Sequence, residues 1–269
     1  MGSGEKKRIS FIIPTINQTT MLEKCIDSIQ KVCMDGYRDL YDYEILVVDD
    51  GSSEEIQAYL KQLSKNLNVK LLLNKENQGF TKAVNMGLRK ASGEMLILVN
   101  NDILFVQKNW LGHMLNALKR YEKVGIVGCR LLYPNGKIQH GGIVYDGHMH
   151  HRYLNQAGDF KPATKVEKTV AVTGAVMLIT REAFEDIGTL DEKYIIAYSD
   201  IDYCLRAYEK GWTVVYNGRS YAIHHEGATR HKSGDKRLPI WAAMDREDCI
   251  RFYEQWRNTM ERLHREGKI

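Results

Sequence analysis

Glu44-Ile45-Leu46-Val47-Val48-Asp49-Asp50-Gly51-Ser52-Ser53 is the stretch that decides the fold class. Its apolar half reads as a buried strand, and the carboxylates and turn formers behind it read as a polar loop at the strand's carboxyl end. Ile56, Tyr59, Leu60 and Leu63 then recur at helical spacing. The same unit lies on either side. Upstream, Ile9 to Ile13 is a β-branched run closed by Pro14; Met21, Leu22, Cys25, Ile26 and Ile29 follow at helix period behind Thr19 and Thr20, with Gly36 beyond the end. Downstream, Val69 to Leu73 is a third strand, Thr81 to Ala91 a third helix, and Glu94 to Val99 a fourth strand running into Asn100-Asn101-Asp102.

Strands alternating with helices through short polar loops imply an α/β fold, a doubly wound, mainly parallel sheet with helices on both faces. In such sheets ligands gather at the carboxyl ends of the strands. Three polar clusters fall there: Thr15 to Asn17, Asp49 to Ser53 and Asn100 to Asp102. Beyond the strand Val124 to Cys129 the pattern gives way to a Gly- and His-rich stretch, 135–151, read as loop or hairpin and suited to an acceptor-side wall. Val170 to Ile179 is read as a strand, Arg181 to Ile187 and Ile201 to Lys210 as helices, Trp212 to Tyr216 as a strand, and Trp241 to Leu263 as an amphipathic helix. This divides the chain into a catalytic unit 8–230, with a nucleotide half 8–102 and an acceptor and metal half 103–230, followed by a loop and helical appendage 231–269. The aromatic stripe Trp241, Tyr253 and Trp256 is read as core rather than as a partner face.

With 269 residues and 43% hydrophobic content the chain can bury one large core. Its five cysteines show no Cys-x-x-Cys spacing, against a disulfide framework or a thiolate zinc site and in favour of a reducing, cytoplasmic setting. A formal charge of +4 argues against a nucleic-acid partner. A basic C-terminal third leaves peripheral contact with the inner face of a membrane as an option. The apolar runs are far shorter than the roughly 20 residues a spanning helix needs, and the opening Met-Gly-Ser-Gly-Glu-Lys-Lys has no apolar signal core.

Four constellations carry chemistry. Asp49 and Asp50 at a strand end suit the imide and ribose hydroxyls of a uridine- or thymidine-type nucleotide; the plainer reading is a helix cap. Asp102 beside Asn100 and Asn101 suits a hard divalent cation, Mn²⁺ or Mg²⁺, that also touches a donor's phosphates; the plainer reading is a turn. His224-His225-Glu226-Gly227 follows the strand-like run Tyr221 to Ile223, so alternation lets one histidine complete the cation's coordination, with His225 preferred, and Arg230, His231 or Lys232 meets the diphosphate. In Ala197-Tyr198-Ser199-Asp200-Ile201-Asp202, Asp200 is placed to deprotonate an acceptor hydroxyl; equally, Ser199 and the aspartates cap a helix. A nicotinamide dehydrogenase is disfavoured, since no Gly-x-Gly-x-x-Gly follows a predicted strand.

The order of these motifs resembles the family 2 glycosyltransferases of the GT-A fold over about residues 9–229. Phe11-Ile12-Ile13-Pro14-Thr15 is similar to the family's opening strand, Val47 to Ser53 to its nucleotide turn, and Asn77-Gln78-Gly79-Phe80 with Asn85 and Gly87 to the next helix entry. Asn100-Asn101-Asp102 resembles the metal-binding Asp-x-Asp position, Val172-Thr173-Gly174-Ala175 the loop near the acceptor, Tyr198 to Arg206 the segment with the base, and His224-His225-Glu226-Gly227 the late metal-ligand motif. The resemblance implies an inverting transfer of one sugar from a nucleotide-sugar donor to a glycan, lipid-linked or protein acceptor. It also implies that Pro14, Thr15, Asn17, Asp49, Asp50, Asn77, Gly79, Phe80, Asn85, Asn100 and Asn101 bind nucleotide, that Asp102 with His225 or His224 binds metal, that Asp200 is the base, and that Gly174, Ser199 and Arg230 line the acceptor and donor loop. Asn77 to Phe80 and Gln139-His140-Gly141-Gly142 look like bacterial rhamnosyltransferase-type members, which sets dTDP-rhamnose beside a UDP-sugar. Two positions depart from the family pattern: Ser199-Asp200 stands where Glu-Asp is usual, and Asn100-Asn101-Asp102 where many have Asp-x-Asp. A catalytically silent nucleotide-binding module is the alternative they raise.

Overall fold

The computed structural model describes residues 6–67, 69–225, 238–267 and 269, with the side chains of Leu238 and Trp241 excepted. Along the chain run β1 (Lys7–Thr15), α1 (Thr20–Ser28) with a π-helical turn Ile29–Cys33, β2 (Tyr41–Asp49), α2 (Glu54–Leu67), β3 (Lys70–Leu73), α3 (Phe80–Lys90) and β4 (Met95–Val99). The second half holds β5 (Ile103–Leu104), α4 (Trp110–Ala117), β6 (Val124–Leu132), β7 (Ile138–His140), β8 (Ile143–Tyr145), β9 (Met149–His151) and β10 (Val166–Lys168). It closes with β11 (Val176–Thr180), α5 (Arg181–Ile187), α6 (Ser199–Glu209), β12 (Thr213–His224) and α7 (Leu238–Arg265).

The main sheet runs β10-β12-β6-β11-β4-β1-β2-β3, with β5 on β12 and β7 on β6, while β8 and β9 form a separate hairpin. β3, β2, β1 and β4 are all parallel, the order expected of a doubly wound half. Beyond them β11 runs antiparallel to both β4 and β6, so this half is mixed. Side-chain alternation explains the two-faced core. Ile9, Phe11 and Ile13 of β1 pack with Leu22, Ile26 and Trp110 on one face, and Ile12 packs with Val84, Leu88 and Cys204 on the other.

Two stretches read as regular strand turn out differently. Of the 170–179 run only residues 176–179 join the main sheet, as part of β11, because residues 173–175 leave it to wall a cleft. The separate runs 212–216 and 221–223 are one strand, β12, bent where its register against β6 shifts between Asn217 and Tyr221. The C-terminal helix is longer than its predicted extent and buries Phe252, Trp256, Met260 and Leu263. Phe252, Trp256 and Met260 pack with Tyr194 and Leu205, so the Trp256 part of the aromatic stripe is core. No helix among the described residues is long and apolar enough to cross a membrane.

Candidate active site

A cleft of about 850 Å³ opens over the carboxyl ends of the central strands, lined by residues that arrive from distant parts of the chain: Thr15, Asp50, Asp102, Gly174, Asp200 and His224 among them. The wall formed by the loops after β1, β2 and β3 is braced by its own polar groups. Asp49, fully buried, accepts from the Ser52 backbone N–H (3.2 Å), the Ser52 hydroxyl and Gln57 Nε2 (3.0 Å), which closes the turn behind β2. Asp50 lines the cleft, yet three donors already hold its carboxylate: Asn74 Nδ2 at 2.8 Å, and the N–H groups of Gln78 and Gly79 at 2.9 Å each. It fixes the loop 74–79, where Gly79 sits at φ +93°, a conformation that favours glycine. Asn77, Gly79, Phe80 and Pro14 also line the cleft.

Neither Asn17, which is exposed, nor Asn85, which is buried, lines the cleft. Asn17 joins the loops after β1 and β2, donating its N–H to Ser52 Oγ (2.7 Å) and accepting at Oδ1 from the Ser53 N–H (3.1 Å). Asn85 is fully buried and makes a two-way link to Leu190, with Nδ2 donating to its carbonyl and Oδ1 accepting from its N–H, both at 2.9 Å. Its amide is thus occupied in holding the loop after α5, and its contribution to a nucleotide would be indirect.

After β4, Asn101 Nδ2 donates to Thr15 Oγ1 (2.9 Å), which clamps two strand ends together. Asn100 Oδ1 is buried on the cleft wall with no hydrogen-bond partner. Asp102 is 7% exposed and its Oδ1 lies 3.1 Å from His224 Nε2. His224 Nδ1 in turn lies 2.8 Å from Gln139 Oε1. With that oxygen accepting, a neutral imidazole carries its proton on Nδ1 and turns the Nε2 lone pair toward the carboxylate. Two electron-rich atoms facing each other, in a cleft that also holds the unpartnered Asn100 oxygen, suit a divalent cation, so the residues present fit the metal expected from the sequence. His224 takes the position the sequence reading preferred for His225. β12 extends through His224, and alternation turns that ring to the cleft; His225 instead meets Asp102 through its backbone N–H, which donates to the Asp102 carbonyl at 3.0 Å.

Asp200 stands in the first turn of α6, half-buried, and its Oδ2 accepts from the Gly174 N–H at 2.8 Å while Oδ1 accepts from the Ile201 N–H at 2.9 Å. Tyr198 before it holds φ +65° at the helix start, and Ser199 is buried on the cleft wall. Arg230, His231 and Lys232 lie outside the described residues. Among the described residues, sequence reasoning missed Asp248 on α7. Fully buried, it accepts at one oxygen from three consecutive N–H groups, Ile195 (2.9 Å), Ile196 (2.8 Å) and Ala197 (3.0 Å), all on the cleft wall. Asp202, two residues after Asp200, is fixed the same way by Trp256 Nε1 at 2.9 Å and Arg206 Nε at 2.8 Å. An Asp within an otherwise amphipathic helix was the one available signal for Asp248. Gln139 and the hairpin residues Met149, His150 and His151 also belong to the surroundings of the site.

Comparison with known proteins bears on the family and the fold. The model of the family described as glycosyl transferase family 2 matches residues 10–188. An uncharacterized protein of Sinorhizobium fredii, y4gI, is 32% identical over 93% of this chain and 27% of its own length. The O-antigen biosynthesis protein RfbC of Myxococcus xanthus is 31% identical over 87% of this chain and 18% of its own. The chain thus spans less than a third of either relative. In fold it is similar to a mannosyltransferase of Pyrobaculum calidifontis solved with GDP-Man and Mn²⁺, at TM-score 0.64 and 19% identity over 93% of this chain and 64% of that one. A sheet of this order with carboxylates at its strand ends, matched by the family's model over most of its length, places the chain among the family 2 glycosyltransferases of the GT-A fold.

Proposed function

We propose that the chain transfers a single sugar, with inversion, from a UDP-sugar or dTDP-rhamnose to an acceptor hydroxyl in bacterial polysaccharide or glycoconjugate assembly. The observation that carries this reading is that Asp102 with His224, and Asp200 on a separate element, share one cleft. The acceptor would be a glycan, a lipid-linked saccharide or a protein, and the setting cytoplasmic, at most peripheral to the membrane. In this reading residues 8–102 receive the nucleotide and 103–230 the metal and acceptor.

The roles follow from position. The loop 74–79, held by Asp50, would seat the nucleotide against Pro14, Thr15 and Phe80. Asp102 and His224 would hold Mn²⁺ or Mg²⁺ in the cleft that Asn100 also lines; a cation bound there would neutralise charge that builds on the departing diphosphate. Asp200 would take the acceptor's proton, its carboxylate aimed by the Gly174 and Ile201 N–H groups. Those two donors leave lone pairs on both oxygens for the acceptor.

Transfer assays with a panel of UDP-, dTDP- and GDP-sugars test the donor class. Asp200→Asn is expected to lower turnover by about 10²–10⁴-fold, the usual worth of a positioned base, with nucleotide affinity largely intact. Near-normal turnover in that variant would remove Asp200 from the role. A chain that binds nucleotide tightly but turns over no donor and acceptor pair would support the silent-module alternative instead.

A further inference from the structure

Away from the carboxylates of the cleft floor, the β8–β9 hairpin gathers Asp146, His148 and His150, with one potential ligand atom from each lying within 4.8 Å of the others. Asp146 and Gly147 make the turn, and the glycine's φ of +104° allows the chain to reverse there. His148 ends the bend and His150 stands in β9, and their rings lie against each other with centroids 4.9 Å apart. Both rings turn Nδ1 to the same carboxylate oxygen, Asp146 Oδ1, at 3.3 Å each. His150 Nδ1 is buried and makes no hydrogen bond in this arrangement.

We infer that this hairpin is a second, separate cation site, selective for a borderline divalent ion of the zinc class. Zinc–ligand bonds of about 2.0–2.1 Å at tetrahedral angles set neighbouring ligand atoms roughly 3.3 Å apart, the separation found on both Asp146 edges. Two imidazoles and one carboxylate suit zinc better than magnesium, which prefers oxygen ligands and keeps its water. Three protein ligands leave a fourth position for water or an incoming group. The hairpin is anchored from behind, since the Met149 N–H donates to Tyr253 Oη of α7 at 2.8 Å, so the ligands are carried on a braced element. Met149 and His150 also wall the cleft, which places the site at the margin of the space assigned to the acceptor.

The inference does not depend on the proposed transfer reaction, and its test reads binding alone. ZnCl₂ is titrated into the intact chain by calorimetry in excess Mg²⁺, alongside His148→Ala, Asp146→Asn and Asp102→Asn. The expected result is one saturable Zn²⁺ per chain that survives Asp102→Asn and is weakened roughly tenfold or more by either hairpin substitution. Both hairpin side chains are exposed, so the variants should keep their thermal midpoints. No saturable uptake by the unsubstituted chain would overturn the inference; so would uptake unchanged by His148→Ala, or uptake abolished by Asp102→Asn alone.

Discussion

The two walls of the cleft are held in place by different means. On the side proposed for the nucleotide, Asp49, Asp50, Asn17 and Asn101 brace loops that follow neighbouring parallel strands, and their partners all lie within the first 101 residues. On the opposite side, the segment 194–203 that carries Asp200 is held from the far end of the chain, by Asp248 and Trp256 of α7. The first wall is built by the sheet's own topology; the second takes much of its bracing from the C-terminal helix, with Thr81 Oγ1 donating to the Tyr194 carbonyl and the Gly174 N–H to Asp200 besides. Nucleotide binding and acceptor activation should therefore be separable by mutation.

Trp256→Ala gives the largest effect on that contrast. It empties a core position and leaves Asp202 without its indole donor, so a loss of about 3–5 kcal/mol is expected. Measured by denaturant unfolding alongside nucleotide affinity, it should lower stability while residual folded protein still binds nucleotide. Equal loss of nucleotide affinity in the folded fraction would mean that the walls are not independent. Asp248→Ala comes next. It removes the shared acceptor of the Ile195, Ile196 and Ala197 N–H groups; Ile195 is exposed and the other two are half-buried, so water can replace part of what is lost and a cost of about 1–3 kcal/mol is expected. Turnover should fall several-fold more than nucleotide affinity does.

This contrast also explains what the sequence could reveal. The strands of the first wall are apolar runs ending in polar clusters, and the period and the position of Asp50 and Asp102 both follow from local pattern. Asp248 and Trp256 meet partners some 50 residues away, where periodicity shows only that a helix has a buried face. The choice between His224 and His225 depended on the phase of β12, which a register shift between Asn217 and Tyr221 conceals. Asn85 stands in a motif that reads as nucleotide-binding, but its amide is engaged by Leu190, a long-range pairing that no local rule signals.

Acid sharpens the comparison with a smaller effect. His140, beside the Gln139 that orients His224, is buried, which holds its imidazole well below its usual range, with His151, Arg152 and His224 adding to the shift. The unfolded chain takes up that proton below about pH 6.5 and the folded chain does not, so stability on this side falls as pH drops from there. Glu44, under the nucleotide wall, behaves differently. Burial would raise its pKa, but hydrogen bonds from Lys70, Ser10 and Ser92 prevail and bring it down to about 2. Its contribution, roughly 2 kcal/mol after allowance for the exposed Lys70, is complete above about pH 4.5 and lost only as pH falls toward 2. Amide exchange followed from pH 7 to 4 should show the His140 side loosening first; simultaneous loosening would contradict this order.

The most direct test of the central claim is a crystal structure of the chain with Mn²⁺ and whichever nucleotide the donor panel shows to bind. The account predicts the cation bound by Asp102 and His224 Nε2, the base and ribose against the loop 74–79, and Asp200 facing the open side of the diphosphate-bearing cleft. A cation held elsewhere, with Asp102 and His224 still in direct contact and Asp200 turned away from the bound nucleotide, would contradict it.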